Sequence, residues 1–309
     1  MGIFLTGSLC YDRIMSFPGK FQDHILPDKI HTLNVSFMVN GLQEMRGGTA
    51  GNIAYNLALL GEAPTVVATA GGKDFDPYAE CFDGLGLPLD GICRIDDEFT
   101  GGCYIFTDMT NNQITGFNPG ALKYASSYDF SGVDAAKSFA CVSPGNVDDM
   151  TEYPERYKKL GIPYFYDPGQ QIPVLSPEQM LSAIDGAYAM VSNDYELEMV
   201  MKATGKTMDE LLQLTDHLIV TVGEHGSRII TRDGQTEVGA VKAEVIKDPT
   251  GAGDAFRAGV IKGLVTGKSL EESCQIGSVA AVYCVEQGEP QGQSYTQDEF
   301  WKRYAANFG

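Results

Sequence analysis

The chain has 309 residues, 43% of them hydrophobic and 20% charged, so it can bury a substantial core and is not a disordered protein. Its 41 acidic residues outnumber the 22 basic ones, and the net charge of −19 argues against nucleic acid or an anionic membrane as a partner. Any phosphate must be held by local devices such as backbone N–H groups, helix N-termini or a metal ion.

The first apolar run, Ile3–Ser8, reads as a buried strand. The start formally matches a myristoylation signal, but it lacks the basic region and long apolar core of a signal peptide. Residues 11–46 break into a different pattern and carry Phe17, Phe21 and Phe37. Arg46-Gly47-Gly48-Thr49-Ala50-Gly51-Asn52 then leads into a helix marked by Ile53, Leu57 and Leu60, with Gly61 as its stop. Thr65–Ala70 is a second strand. Residues 100–121 alternate apolar with polar around Asn111-Asn112, a hairpin signal, and carry Tyr104, Phe106 and Phe117. Further strands are expected at Phe139–Ser143, Tyr164–Asp167, Tyr188–Ser192 and Leu218–Val222, with helices over Tyr195–Met201 and Asp209–Leu214. Val241, Ala243 and Val245 alternate with Lys242 and Glu244, again a strand pattern. Phe256, Val260, Ile261 and Leu264 have helical spacing, and Tyr295–Phe308, with the single Trp301, reads as a packing helix.

Strands alternating with helices predict a doubly wound α/β domain, a mostly parallel sheet with helices on both faces. The two exceptional segments, 11–46 and 100–121, predict one small β-sheet with exposed aromatics, lying as a lid over the end of the main sheet. No repeat or linker divides the chain, so residues 1–309 are expected to form one domain with the lid inserted in it. The 7 cysteines are odd in number and lack C-x-x-C spacing, and the 4 histidines show no ligand spacing. Reduced thiols in a cytoplasmic protein fit better than a disulfide framework or a zinc site. Asn34-Val35-Ser36 is a glycosylation acceptor only in a secreted chain, and no apolar run is long enough to span a membrane.

The strongest chemical signal is Asp248-Pro249-Thr250-Gly251-Ala252-Gly253-Asp254, read as a tight Gly-rich turn between a strand and a helix N-terminus. Gly251, Ala252 and Gly253 can turn backbone N–H groups toward one point with the helix dipole behind them, which stabilises an anion without lysine. Unusual backbone angles are expected at Gly253. Asp254 at the mouth of this turn suits either a helix cap or a general base. Gly263 to Ser269 only imitates a P-loop, because three residues separate its glycines where four are needed, and it follows a helix. In the second signal, Gly47-Gly48 lets a ligand approach the backbone, and Asn52 offers donors and acceptors near a helix start. Ser8 and Asp12 lie near the end of the first strand, where doubly wound sheets bind ligands, and a carboxylate at Asp12 suits a sugar diol.

The sequence DPTGAGDAF in this position, with GGTAGN upstream, resembles the ribokinase-type carbohydrate kinases, also called the PfkB family, over nearly the whole chain. Within that family it is most similar to the bacterial adenosine kinases. The segments that carry this are Gly47–Asn52, Phe117–Ala121, Asp167-Pro168-Gly169-Gln170-Gln171, Ser192–Glu196 and Arg257-Ala258-Gly259. The resemblance implies transfer of the γ-phosphoryl of MgATP to the 5′-hydroxyl of adenosine, with a sugar such as ribose or fructose as the alternative acceptor. It implies Asp254 as the base and Gly251, Ala252 and Gly253 as the anion hole. Ser8, Asp12, Gly48 and Asn52 would hold the ribose, with Phe117, Gln170 and Gln171 at the base. Asn193, Thr221, Gly223, Gly226 and Ser278 fall at the ATP site, with Gly277 to Val282 and Glu286 where its adenine lodges. Glu196 would organise Mg²⁺ through water, and Asp248 with Thr250 a monovalent cation such as K⁺. Cys103 and Tyr104 do not supply the aromatic stack a purine favours, which leaves Phe117. The apolar lid would close over substrate or join two copies in a homodimer.

Overall fold

The computed structural model describes residues 1–309. The strands are β1 (Gly2–Thr6), β2 (Cys10–Ser16), β3 (Leu42–Gly47), β4 (Thr65–Gly71), β5 (Ile92–Ile95), β6 (Gly101–Thr107), β7 (Gln113–Asn118), β8 (Ser138–Val142), β9 (Tyr164–Tyr166), β10 (Ala189–Asn193), β11 (His217–Thr221), β12 (Ser227–Thr231) and β13 (Gly234–Val238). The helices are α1 (Thr49–Leu59), α2 (Asp76–Gly84), α3 (Val147–Leu160), α4 (Pro177–Ile184), α5 (Asp194–Thr204), α6 (Met208–Leu211), α7 (Ala252–Val265), α8 (Leu270–Gln287) and α9 (Gln297–Phe308).

Nine strands form the main sheet in the order β13-β12-β11-β10-β9-β8-β1-β4-β5, with all pairings parallel except β11–β12 and β12–β13. Period-two packing explains why the central strands are continuously apolar. Ile3 and Leu5 enter one core with α1, α2 and α7, while Phe4 enters the other with α3, α4 and α5. This is the ribokinase-like α/β fold expected from the sequence. Helices α7 and α8 approach closely because a Cβ on Gly259 would lie 2.6 Å from Gly277 Cα.

The lid is a separate four-stranded sheet, β3-β2-β6-β7. Its β6–β7 turn is shaped by Asp108, which is buried and accepts from the backbone of Phe21, Thr110 and Asn112. The expectation of exposed lid aromatics is corrected. Phe17 and Phe21 are buried, stacked on one another and packed against Phe37 and His24, because a thin sheet needs a small core of its own. Phe117 remains 52% exposed.

The strand expected over Val241–Val245 is also absent. β13 ends at Val238 as the sheet edge, and the following segment runs along α8 instead. Glu244 N–H donates to Glu286 Oε1 at 2.8 Å, and Lys247 N–H to Val285 O at 3.0 Å. Val241 is buried beside Ile276 and Val279 and Ala243 packs beside it, while Val245 is exposed, so only the start of the alternation packs on the helix. No helix is long and apolar enough to cross a membrane, and all 7 cysteines are free.

Candidate active site

The Gly-rich turn opens helix α7. Gly251 is its N-cap with φ 82°, a left-handed conformation, and a Cβ there would lie 2.8 Å from Pro290. Gly253 has no positive φ; it is helical, and what excludes a side chain there is Arg257 Nη1, 2.8 Å from where a Cβ would stand. The unusual backbone angle therefore belongs to Gly251. Ala252 N–H is bonded to Pro249 O at 3.1 Å, whereas the N–H groups of Gly251, Gly253 and Asp254 make no backbone bond. These three donors and the helix dipole form the anion-attracting end of α7.

Asp254 stands at that end. Asn52 Nδ2, from the first turn of α1, donates to its Oδ2 at 2.8 Å. Burial pushes the Asp254 carboxyl up to about 6, with Arg257 and the Asn52 bond pulling it down and the Glu196 charge adding to the rise. A carboxyl poised there can accept a proton near neutral pH. Arg257, one turn along α7, is buried, and its Nε lies 2.8 Å from Asp167 Oδ2 at the end of β9. That N–H is not aligned for a hydrogen bond, and Asp167 Oδ1 also lacks a partner. Burial raises Asp167 to about 7, with the Arg257 guanidinium pulling it down and the Glu196 and Asp254 charges adding to the rise.

The turn before α1 faces this point. Gly48 has φ 89°, and a Cβ would lie 2.5 Å from Ser8 O. The Ser8 hydroxyl accepts from Thr49 N–H at 3.0 Å, so it fixes the turn from within. Asp12 is on the lid, and its register partners are Met45 on β3 and Cys103 on β6, with Phe117 opposite Cys103 on β7. Opposed residues share a face, so Met45, Asp12, Cys103 and Phe117 form one row across the lid. Desolvation raises the Asp12 carboxyl, offset by the Cys103 thiol hydrogen bond. Tyr104 is on the other face, bonded to Arg13 at 3.1 Å.

Other residues singled out in the sequence have structural partners. Gln171 Nε2 donates to Gly145 O at 2.8 Å, while Gln170 is exposed. Asn193 and Glu196 form a reciprocal capping box at the start of α5, with bonds of 2.7 and 2.8 Å. Glu196 Oε2 is engaged there, and its charge still reaches Asp254 and Asp167. Thr221 ends β11, and Gly223 and Gly226 shape the turn to β12, both with positive φ. Ser278 on α8 donates to Gly239 O at 3.3 Å. Glu286, expected beside the adenine of ATP, is engaged with another helix in this structure. It clamps Arg303 through two bonds of 2.6 and 2.7 Å, tying α8 to α9. Asp248 Oδ1 accepts from Thr250 N–H at 2.8 Å, and the Thr250 carbonyl receives the Cys284 thiol at 3.3 Å. No three His, Cys, Asp or Glu side chains cluster closely enough to hold a metal unaided.

Residues 8–297 match the pfkB family carbohydrate kinase pattern. The chain belongs to the PfkB family. It is 30% identical to a nucleoside kinase of Methanocaldococcus jannaschii over 84% of this chain and 85% of that protein. The structure of Burkholderia thailandensis nucleoside kinase in complex with inosine superposes with a TM-score of 0.85 at 34% identity, covering 100% of this chain and 97% of that one. Arabidopsis thaliana ribokinase complexed with ribose and ATP shares the fold, with a TM-score of 0.79 at 21% identity over 98% of each chain. This PfkB member is thus a kinase, a phosphotransferase with an alcohol group as acceptor.

Sequence reasoning assigned no role to the Asp167–Arg257 pair, although both residues lay in quoted motifs. It passed over Tyr78 and Gln291 altogether. Only the need for glycine at position 51 pointed to Tyr78, whose hydroxyl would lie 1.9 Å from a Cβ there.

Proposed function

We propose that this PfkB kinase transfers the γ-phosphoryl of ATP to the 5′-hydroxyl of a purine ribonucleoside, with adenosine as the first acceptor to test. The observation that carries this reading is the row Asp12–Cys103–Phe117. It sets an acceptor for ribose hydroxyls and an exposed aromatic ring on one face, two strand spacings apart, roughly 10 Å. The similarity to nucleoside kinases, one bound to inosine, supports the same class of acceptor.

In this reading Asp254 takes the proton of the attacking hydroxyl. The free N–H groups of Gly251, Gly253 and Asp254 meet charge on the transferring phosphoryl, backed by the helix dipole and the buried Arg257. Little covalent chemistry is asked of the protein, and positioning and water exclusion under the lid supply most of the effect. The turn at Thr221, Gly223 and Gly226, with Asn193 and Ser278, would hold ATP. Mg²⁺ neutralises phosphate charge when bound, and Glu196 would hold it through water, since its Oε2 stays in the capping box. Asp248 Oδ2 and the Thr250 carbonyl remain as donors for K⁺. The free cysteines support a cytoplasmic enzyme, and the apolar residues beside the row, Ile14 and Ile105, suit a homodimer through the lid.

A second reading keeps a free sugar as acceptor, because Phe117 is the one aromatic in the row. An ADP-release assay with adenosine, inosine, ribose and fructose decides between them. Turnover of ribose or fructose with none of either nucleoside would overturn the nucleoside reading.

A further inference from the structure

A chain of side-chain hydrogen bonds runs from the lid to Asp254. The Tyr78 hydroxyl donates to Gly47 O at 2.9 Å, at the end of lid strand β3. Gln291 Nε2 donates to the Tyr78 hydroxyl at 2.7 Å and, through its second hydrogen, to Asn52 Oδ1 at 3.0 Å. Asn52 Nδ2 then donates to Asp254 Oδ2 at 2.8 Å. Tyr78, Gln291 and Asn52 are all buried.

A primary amide has a donating edge and an accepting edge, exchanged by a half-turn about its last bond. A carboxylate partner requires the donating edge. What secures that orientation is a donor at the other edge, and Gln291 supplies it. The neighbouring amides donate to other acceptors. Asn56 Nδ2 is engaged with Asn52 O at 2.8 Å, and Gln293 Nε2 with Asn56 Oδ1 at 2.7 Å. Without Gln291 the Asn52 carbonyl would be buried and unpaired, and the reversed amide would set oxygen against oxygen at Asp254.

We propose that Gln291 is a positioning residue for phosphoryl transfer: it locks the Asn52 amide with its donating edge toward Asp254, and through Tyr78 ties that amide to the end of lid strand β3. The proposal rests on Asp254 being the base.

The test is steady-state kinetics of the purified full-length protein, using the acceptor the wild type turns over fastest. Gln291→Met keeps the side-chain length and removes both donors. It should lower kcat roughly 10- to 150-fold, the worth of the Asn52 hydrogen bond to charged Asp254, and change KM for ATP by less than about twofold. Gln291→Glu, of nearly identical shape, should lose activity in the same direction and serves if the Met variant does not fold. Because Gln291 acts through Asn52, adding Gln291→Met to Asn52→Ala should lower kcat no further. Tyr78→Phe, which keeps the Gln291–Asn52 bond, should lose less than Gln291→Met. Unchanged kcat in folded Gln291→Met or Gln291→Glu, or losses that multiply in full with Asn52→Ala, would overturn the proposal. Full activity of Asp254→Asn would overturn both the base assignment and this proposal. An inactive Asp254→Asn beside an unimpaired Gln291→Met would overturn this proposal alone.

Discussion

Replacing Asn52 by Ala should move the acid limb of turnover to higher pH. Asn52 Nδ2 donates to Asp254 at 2.8 Å, and that bond favours the charged carboxylate, so it holds the carboxyl below where burial alone would put it. A hydrogen bond to a charged group contributes about 1.5–3 kcal/mol. Asp254 keeps partial contact with solvent, so the lower end applies, and about 1.4 kcal/mol corresponds to one pH unit. The wild-type limb is expected near the carboxyl's value of about 6, and the variant's limb roughly one unit higher. Other charges facing Asp254 are Arg257 on its own helix, Glu196 on α5 and Asp167 at the end of β9, and all are unchanged in the variant. Base catalysis needs the ionised form, so the relative deficit should grow as pH falls, reach about tenfold below both limbs and level off at alkaline pH. An ADP-release assay across the acid and neutral range measures it at saturating ATP. A limb that stays in place or moves down would refute the argument, as would an acid limb that survives in Asp254→Asn with full activity.

Gly253→Val should abolish most activity and lower Tm, since its side chain would displace Arg257 from Asp167, and breaking a buried ion pair costs about 3–5 kcal/mol. Wild-type kcat and Tm together would exclude this. Phe117→Ala should lower kcat/KM for nucleosides about fivefold, the low end of aromatic–base stacking, and leave any ribose turnover unchanged. Asp12→Ala should impair both acceptors, and an effect confined to one of them would remove Asp12 from the sugar site. Burial raises the Asp149 carboxyl to about 6, although Ser126 N–H donates to it. A carboxyl raised on folding favours the folded state when protonated, so its contribution is present at low pH and is lost as pH rises through about 6. Thermal melts should therefore show Asp149→Asn losing part of the Tm gain that the wild type makes on going from neutral pH down toward about 5.

The main sheet was legible because parallel strands covered on both faces leave continuous apolar runs, as at Phe139–Ser143 and Leu218–Val222. Val241–Val245 alternates like a half-buried strand, but it lies against α8 with Val241 buried and Val245 exposed. The lid was legible as a sheet, but the sharing of one face by Asp12 and Phe117 depends on strand register, and no local pattern encodes a pairing across some 100 residues. The intramolecular bonds of Ser8, Gln171 and Glu286 could not be read from sequence, because each partner lies at least 17 positions away. Gln291 was invisible for the plainest reason: it meets Asn52 across a separation of 239 positions.

Asp254 stands on a helix of the main body, while Asp12 and Phe117 stand on the lid. In the proposed reading, the group that would take the proton and the groups that would choose the acceptor thus belong to two different pieces of architecture. In that reading a change in the lid row would alter which hydroxyl is presented without disturbing the carboxyl that would receive its proton. Acceptor choice can therefore diverge among descendants of one gene while the chemical step is inherited intact.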